Sequence, residues 1–250
     1  MSTSEVTADR RSGLANVVDI VVAPNTAFDR LRVVPTWGWA FLVTVVLGIA
    51  GVLVATPASL HAIDTAMPAQ LAASPNIAKL PPDQQQKQIA QTIAFVKTLT
   101  QFTWVLLPVF VLLIGVVQAL ILMFANVVGG GDGSFKKYFA LSMTAAVVGT
   151  GLGSVVIGII VLVRGVSSFD TLTSVQQSLP SLGLLAPGVK GFLGGFLGAM
   201  NVFYLWAAAL LALGAIRIGR VKPTAAWIAV IVILLITGCF AGFGAAQNNS

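Results

Sequence analysis

The chain has 250 residues, 57% hydrophobic and 9% charged, with a formal net charge of +6 and a mean hydropathy of +0.94. A water-soluble domain carries about 25% charged residues, so this composition excludes an ordinary globular surface and makes lipid the solvent for much of the chain. Lys and Arg gather beside the ends of apolar runs, so the positive charge reads as a membrane-topology signal rather than a nucleic-acid footprint.

Residues 1–11 are polar and read as a disordered tail. They do not read as a cleavable signal, because the first weakly apolar run is interrupted by Asp19 and Pro24. Ser12 is placed to cap a helix carrying Leu14, Val17, Val18, Val21 and Val22 on one stripe, and Pro24 to stop it. Asn25 or Thr26 can cap a second short helix, with Phe28 and Leu31 on one side and Pro35 at its end. The two short amphipathic helices either lie in the membrane interface or pack on the end of a bundle.

Five apolar runs follow, at residues 37–56, 103–126, 138–163, 191–213 and 224–244, and none contains Asp, Glu, Lys, Arg or His. Each has about 20 residues or more, enough at about 1.5 Å rise per residue to cross a hydrocarbon core of about 30 Å. Their composition does not alternate, so they read as helices and not as barrel strands. The expected fold class is therefore all-α: a polytopic membrane protein, a bundle of five transmembrane helices. Residues 12–244 form its single membrane domain and 245–250 a short polar tail. Trp37 and Trp39 suit the headgroup boundary.

The connection 57–102 is long, and Pro57, Pro68, Pro75, Pro81 and Pro82 are expected to break its first half. A helix is predicted from Pro82, with Asp83 near its start and Ile89, Ile93, Val96 and Thr100 on one face, running on into the second span. The turn after that span contains GGGDGS at 129–134, which lacks the Gly-Lys-Ser/Thr of a phosphate loop and reads as a tight turn. The last turn, 214–223, carries Arg217, Arg220 and Lys222. The N-terminal segment and these two turns hold nine basic residues against five in the two longer connections and the tail. That contrast places the N-terminus in the cytoplasm and the C-terminus outside, in the cell membrane.

Side chains for catalysis are scarce. Cys239 is the only cysteine, His61 stands alone in a loop, Glu5 is the only glutamate, and Asp64, Asp83, Asp132 and Asp170 are scattered through connections. No spacing yields an acid–base pair, a nucleophile with its base, or a ligand set. The expectation is no enzyme activity, no catalytic residue, no cofactor, no metal and no small-molecule substrate.

Small-xxx-small spacing recurs at Gly149 and Gly153, Gly191 and Gly195, Gly194 and Gly198, and Gly238 and Gly242. It predicts close helix packing, either within the bundle or against an oligomer partner. Gln118 and Asn201 are the most polar residues deep in the spans, with Ser142, Thr150 and Thr237. Such groups hydrogen-bond between helices or line a solute path.

Several stretches together resemble one family. VVDIVVAPNTAFDRLRVVPTWGWAF (17–41) is similar to the lead-in segment of the Yip family, the Ypt/Rab-interacting integral membrane proteins, in its prokaryotic form. LPPDQQQKQIAQTIAF (80–95) resembles the helix before the family's second span, and GSFKKYFAL (133–141) the start of its third. MNVFYLWAAALLALGAIRIGRVKPTAAW (200–227) resembles the fourth span, the following turn and the start of the fifth. The matched positions are Pro24, Phe28, Pro35, Phe203, Trp206 and Gly214, the last as the glycine that ends the helix; Asn201 stands where the pattern often has Asp. The resemblance implies five spans with the N-terminus inside and offers no catalytic residues. Eukaryotic members are implicated in Rab GTPase binding, but the long acidic region that accompanies this role is missing here.

These readings converge on a non-enzymatic scaffold or organiser of membrane or partner proteins. Its partners are the lipid bilayer and either a homo-oligomer or other membrane proteins. The alternative is a small permease or channel component with a polar path between helices. A third reading is a lipid-handling protein with grooves beside its glycine-rich faces.

Overall fold

The structure is a computed structural model that describes the backbone of residues 3–247 and the side chains of residues 13–246. The described residues form helices and turns. These are α1 (Thr3–Val22), α2 (Pro24–Val33), α3 (Gly38–Ala73), α4 (Pro75–Ala78) and α5 (Pro82–Val128). After a Gly-rich turn come α6 (Phe135–Ala146), a π-helical turn (Val147–Leu152) and α7 (Gly153–Arg164). The chain continues through α8 (Leu172–Gln176), α9 (Gly191–Ala199), α10 (Val202–Gly219) and α11 (Pro223–Gln247). Five helical stretches are long and apolar enough to cross a membrane: Gly38–Ala73, Pro82–Val128, Phe135–Arg164, Val202–Gly219 and Pro223–Ala246. The all-α, five-span expectation holds.

The N-terminal details differ from the sequence reading. α1 starts at Thr3, so Ser12 lies inside it instead of capping it, and residues 3–11 of the stretch expected as a disordered tail carry helical backbone. Its inward face is Gly13, Asn16, Val17 and Ile20, while Leu14, Val18 and Val22 of the expected stripe point outward. α1 thus packs with one face and leaves an apolar face uncovered. Neither Asn25 nor Thr26 caps α2; its N-cap is Ala23 and Pro24 is its first residue. Proline suits that position, because its fixed φ is helical and its missing N–H would be unpaired there anyway. Ala27, Phe28 and Leu31 form its buried side.

Pro57 and Pro68 do not break the chain. Both lie inside α3, a helix of 36 residues that also contains His61. A proline leaves the carbonyl four residues back without its donor. For Pro57 that carbonyl belongs to Leu53; the nearby Thr56 and Ser59 hydroxyls donate instead to the Val52 (2.8 Å) and Ala55 (3.3 Å) carbonyls. α5 runs unbroken for 47 residues, as expected, with Pro108 inside it. Ile89, Ile93, Val96 and Thr100 lie half-buried along one face of it.

The fourth span is the main correction. Residues 191–213 are not one helix, because the chain leaves helical geometry at Met200–Asn201 between α9 and α10. α9, GFLGGFLGA, is rich in glycine, the weakest helix former after proline. The break has other backbone partners: Leu182 N–H donates to the Met200 carbonyl (3.1 Å), and Ser181 pairs with Asn201 in an antiparallel bridge. α10 then continues past Gly214 to Gly219, so Gly214 does not end the helix and Arg217 is helical.

The fold divides into two compact units. One comprises residues 3–48, Leu107–Gly153 and Val202–Thr237. In it α10 packs on α2, α6 and the π-helical turn, around Ile20, Phe28, Leu31, Leu122, Tyr138, Leu141, Leu210 and Ile218. The other comprises Ile49–Leu106, Ser154–Asn201 and residues 238–247. Its core joins Ala55, Ala58, Val161, Phe169 and Val175, flanked by Ile157 and Ile160. Arg164 lies 5.0 Å from the buried Phe169 ring, and Lys97 pairs with Asp64 at 2.5 Å.

Candidate functional site

Polar chemistry in the first unit concentrates where α5, α6 and α10 end or begin. Asn126 and Tyr138 are both buried there. The Asn126 side-chain oxygen accepts from the Tyr138 hydroxyl (2.6 Å) and from Gly133 N–H (2.9 Å). The Asn126 carbonyl accepts from Gly131 N–H, and the Gly219 carbonyl from Asp132 N–H, both at 2.8 Å. These bonds explain the glycines of GGGDGS. Gly130 has φ +65°, a Cβ on Gly131 would collide with Asn126, and one on Gly133 with the Tyr138 hydroxyl. The loop is a pinned turn whose amides are already occupied.

Ion pairs tie elements of this unit together. Arg30 bonds the buried Asn16 (2.9 Å) and pairs with Asp19, joining α1 to α2. Arg217 grips both Asp29 oxygens at 2.7 and 2.8 Å, and its guanidinium holds the Asp29 carboxyl below its ordinary value. Arg220, with φ +51°, approaches Asp132 at 3.4 Å. Asp19, Asp29 and Asp132 are thereby committed to arginines. Among the described residues no carboxylate pairs with Lys136, Lys137 or Lys222.

Gln118, Thr150 and Thr237 meet in the same unit. With Tyr204, whose hydroxyl is bonded to Thr150, they line a cavity of about 50 Å³ between α5, the π-helical turn, α10 and α11. A water occupies about 30 Å³ of liquid volume, so the cavity has room for one or two waters. Asn201 does not line it; it belongs to the other unit, beside Ser181. Ser142 is buried, and its hydroxyl, like that of Thr44, has no hydrogen-bond partner among the described residues.

The glycines predicted for packing meet their own chain. A Cβ on Gly149 would lie 3.1 Å from Ala207, and one on Gly153 3.5 Å from Phe203. In the second unit a Cβ on Gly194 would strike the Val189 carbonyl, one on Gly198 the Gln177 side chain, and one on Gly195 the chain at Ala241 and Ala245. A Cβ on Gly238 would sit 2.6 Å from Phe196, and one on Gly242 2.8 Å from Phe192. Gly191 is there for its backbone, with φ +61° and open space around its would-be Cβ.

Among the family-pattern positions, Pro24 opens α2, Phe28 is buried, and Pro35 lies between α2 and α3. Phe203 and Trp206 are half-buried on α10, and Gly214 is buried where a Cβ would strike Leu141. Sequence reasoning did not single out Asn126, Tyr138, Asn16 or the Asp29–Arg217 pair. The available signal was an Asn closing an apolar span just before three glycines. Among the described residues no three His, Cys, Asp or Glu side chains group as a metal site.

Residues 18–245 match the family model of the Yip1 domain. "Membrane protein YknW" of Bacillus subtilis (strain 168) is 24% identical over 255 residues, covering 98% of this chain and 98% of its own. No solved structure matches. A match across nearly the whole chain, including the pinned turn and all five candidate spans, makes this protein a multi-pass membrane member of the Yip1 domain family.

Proposed function

We propose that this protein is a non-enzymatic scaffold that holds another membrane-protein helix, from a second copy or a different protein, against α5. The observation that carries the reading is the uncovered side of α5. In the second unit Phe95, Leu99, Phe102 and Leu106 follow one another at spacings of four and three residues, and each is between 44% and 63% exposed. Such spacing builds the seam that a second helix packs against. α5 has 47 residues, which is about 70 Å at 1.5 Å per residue, and lipid covers only about 30 Å of it. Phe95 and Leu99 precede the apolar run 103–126, so a partner helix covers them more completely than acyl chains do.

Photoreactive residues placed singly at Phe95, Leu99 and Phe102 should give protein adducts in intact membranes, whereas positions on the half-buried face, Ile89 and Val96, should not. The adduct's mass separates a second copy from another protein. Lipid adducts alone at all three exposed positions would refute the reading. The basic-residue count supports a cytoplasmic N-terminus and 129–134 turn in the cell membrane. In a Cys239→Ala background, a cysteine at Ser134 should resist an impermeant thiol reagent applied to intact cells and one at Ser181 should react; the reverse would overturn this orientation.

A further inference from the structure

In the first unit, the end of α5 and the start of α11 enclose an open groove of about 580 Å³, within the range of about 300–1,000 Å³ typical of ligand sites. Its construction is regular. α5 contributes Leu120, Ile121, Phe124, Ala125 and Val128; α11 contributes Thr224, Ala225, Ile228, Ala229 and Val232, in the same i, i+1, i+4, i+5, i+8 spacing. Small residues make the floor (Ala125, Gly129, Ala225, Ala229), and exposed Phe124, Val128 and Ile228 make the rims. Eight residues of helix make the groove about 12 Å long, close to the depth of one leaflet, about half of a 30 Å core. Lys222 lines the end beside the Gly-rich turn, and among the described residues it has no carboxylate partner.

We infer that this groove binds one anionic phospholipid of the adjoining leaflet, an acyl chain lying between α5 and α11 and the phosphate at Lys222. Both parts of such a lipid meet their complement. The channel is apolar and close to one leaflet deep. The single charge at its mouth is positive and lies at the water-facing end of the helices, where a headgroup sits. A second copy of this chain fits poorly in this groove, because a symmetric contact would bring another Lys222 to the same place. The inference is independent of a partner helix on the upper part of α5.

The test uses the full-length protein in mild detergent, with phosphatidylglycerol or phosphatidylcholine added and lipid retention counted by native mass spectrometry. Phosphatidylglycerol should be retained in preference to phosphatidylcholine. Lys222→Gln should weaken that retention about fivefold, the effect of one basic residue facing an anionic headgroup, and Lys136→Gln should not. Ala229→Phe, which fills the floor, should lower retention of both lipids; where that variant does not fold, Ala225→Leu serves instead. Equal retention of the two lipids, equal loss from Lys136→Gln and Lys222→Gln, or unchanged retention in the filled variants would overturn the inference. So would disulfide-linked dimers formed readily through cysteines at Val128 and Ile228.

Discussion

Asn126 is the point at which the pinned turn is most vulnerable, and the structure ranks the substitutions around it. Its side-chain oxygen serves two donors, the Tyr138 hydroxyl and Gly133 N–H. Tyr138→Phe removes one hydrogen bond and leaves the oxygen with the other, so the loss should be that of a single net bond, about 0.5–1.5 kcal/mol. Asn126→Ala strands both donors in an environment where Tyr138 is 0% exposed. Each stranded donor costs about 1–3 kcal/mol, so the expected loss is about 2–6 kcal/mol. In the double variant the phenol that would have been stranded is gone. It should therefore be more stable than the sum of the singles predicts, by about 1 kcal/mol or more.

Helix melting followed by circular dichroism in one detergent reads these differences, at about 2–4 °C per kcal/mol for a chain of this size. Tyr138→Phe should lower the midpoint by a few degrees and Asn126→Ala by at least twice as much. Equal effects from the two single variants, or strict additivity in the double, would refute the account of one oxygen holding two donors.

Three further outcomes follow from single contacts. Gly51→Ala sets a Cβ against the Ser154 backbone, which cannot swing aside, and should cost about 1–3 kcal/mol; Gly115→Ala meets only the flexible end of Met143 and should cost less, both read by the same melts. Thr44→Val and Ser142→Ala remove buried hydroxyls without partners and should leave the midpoint unchanged or raise it, since an unsatisfied buried group costs about 1–3 kcal/mol. Because the hydrogen-bonded Arg217 guanidinium holds the Asp29 carboxyl below the ordinary carboxylate range, the wild-type advantage over Asp29→Asn should be constant at neutral pH. It should shrink only below about pH 4 as the folded-state pKa is crossed, and melts across a pH series check the sign.

The spans were legible because bilayer thickness imposes a length and charge exclusion imposes a composition, and both can be read residue by residue. The family was legible from the order of short segments such as 17–41 and 200–227. What stayed hidden was set by tertiary packing. Pro57 and Pro68 read as breakers because local rules assign them that role, yet α3 continues through both. Gly214 read as a helix end, but its missing Cβ makes room for Leu141. Asn126 and Tyr138 lie 12 residues apart, and nothing in their spacing announces that the intervening turn closes one onto the other.

The broken fourth span extends this point to the connection between Arg164 and Gly191. Buried backbone groups are paired with few exceptions, and Met200 and Asn201 are both buried, so a break in the helix persists there only where other protein satisfies it. At Met200–Asn201 that protein is the segment around Ser181 and Leu182, through one backbone bond and an antiparallel bridge. α9 packs on the adjacent turn at Leu182–Leu185, and the Gln177 side chain donates to the Gly194 carbonyl at 3.3 Å. Upstream, Thr171 and Ser174 close a capping box on α8, and Val175 joins Phe169 in the core. A stretch that reads as a polar linker is therefore part of the second unit's framework. It supplies the partners without which α9 and α10 could be joined only as a continuous helix.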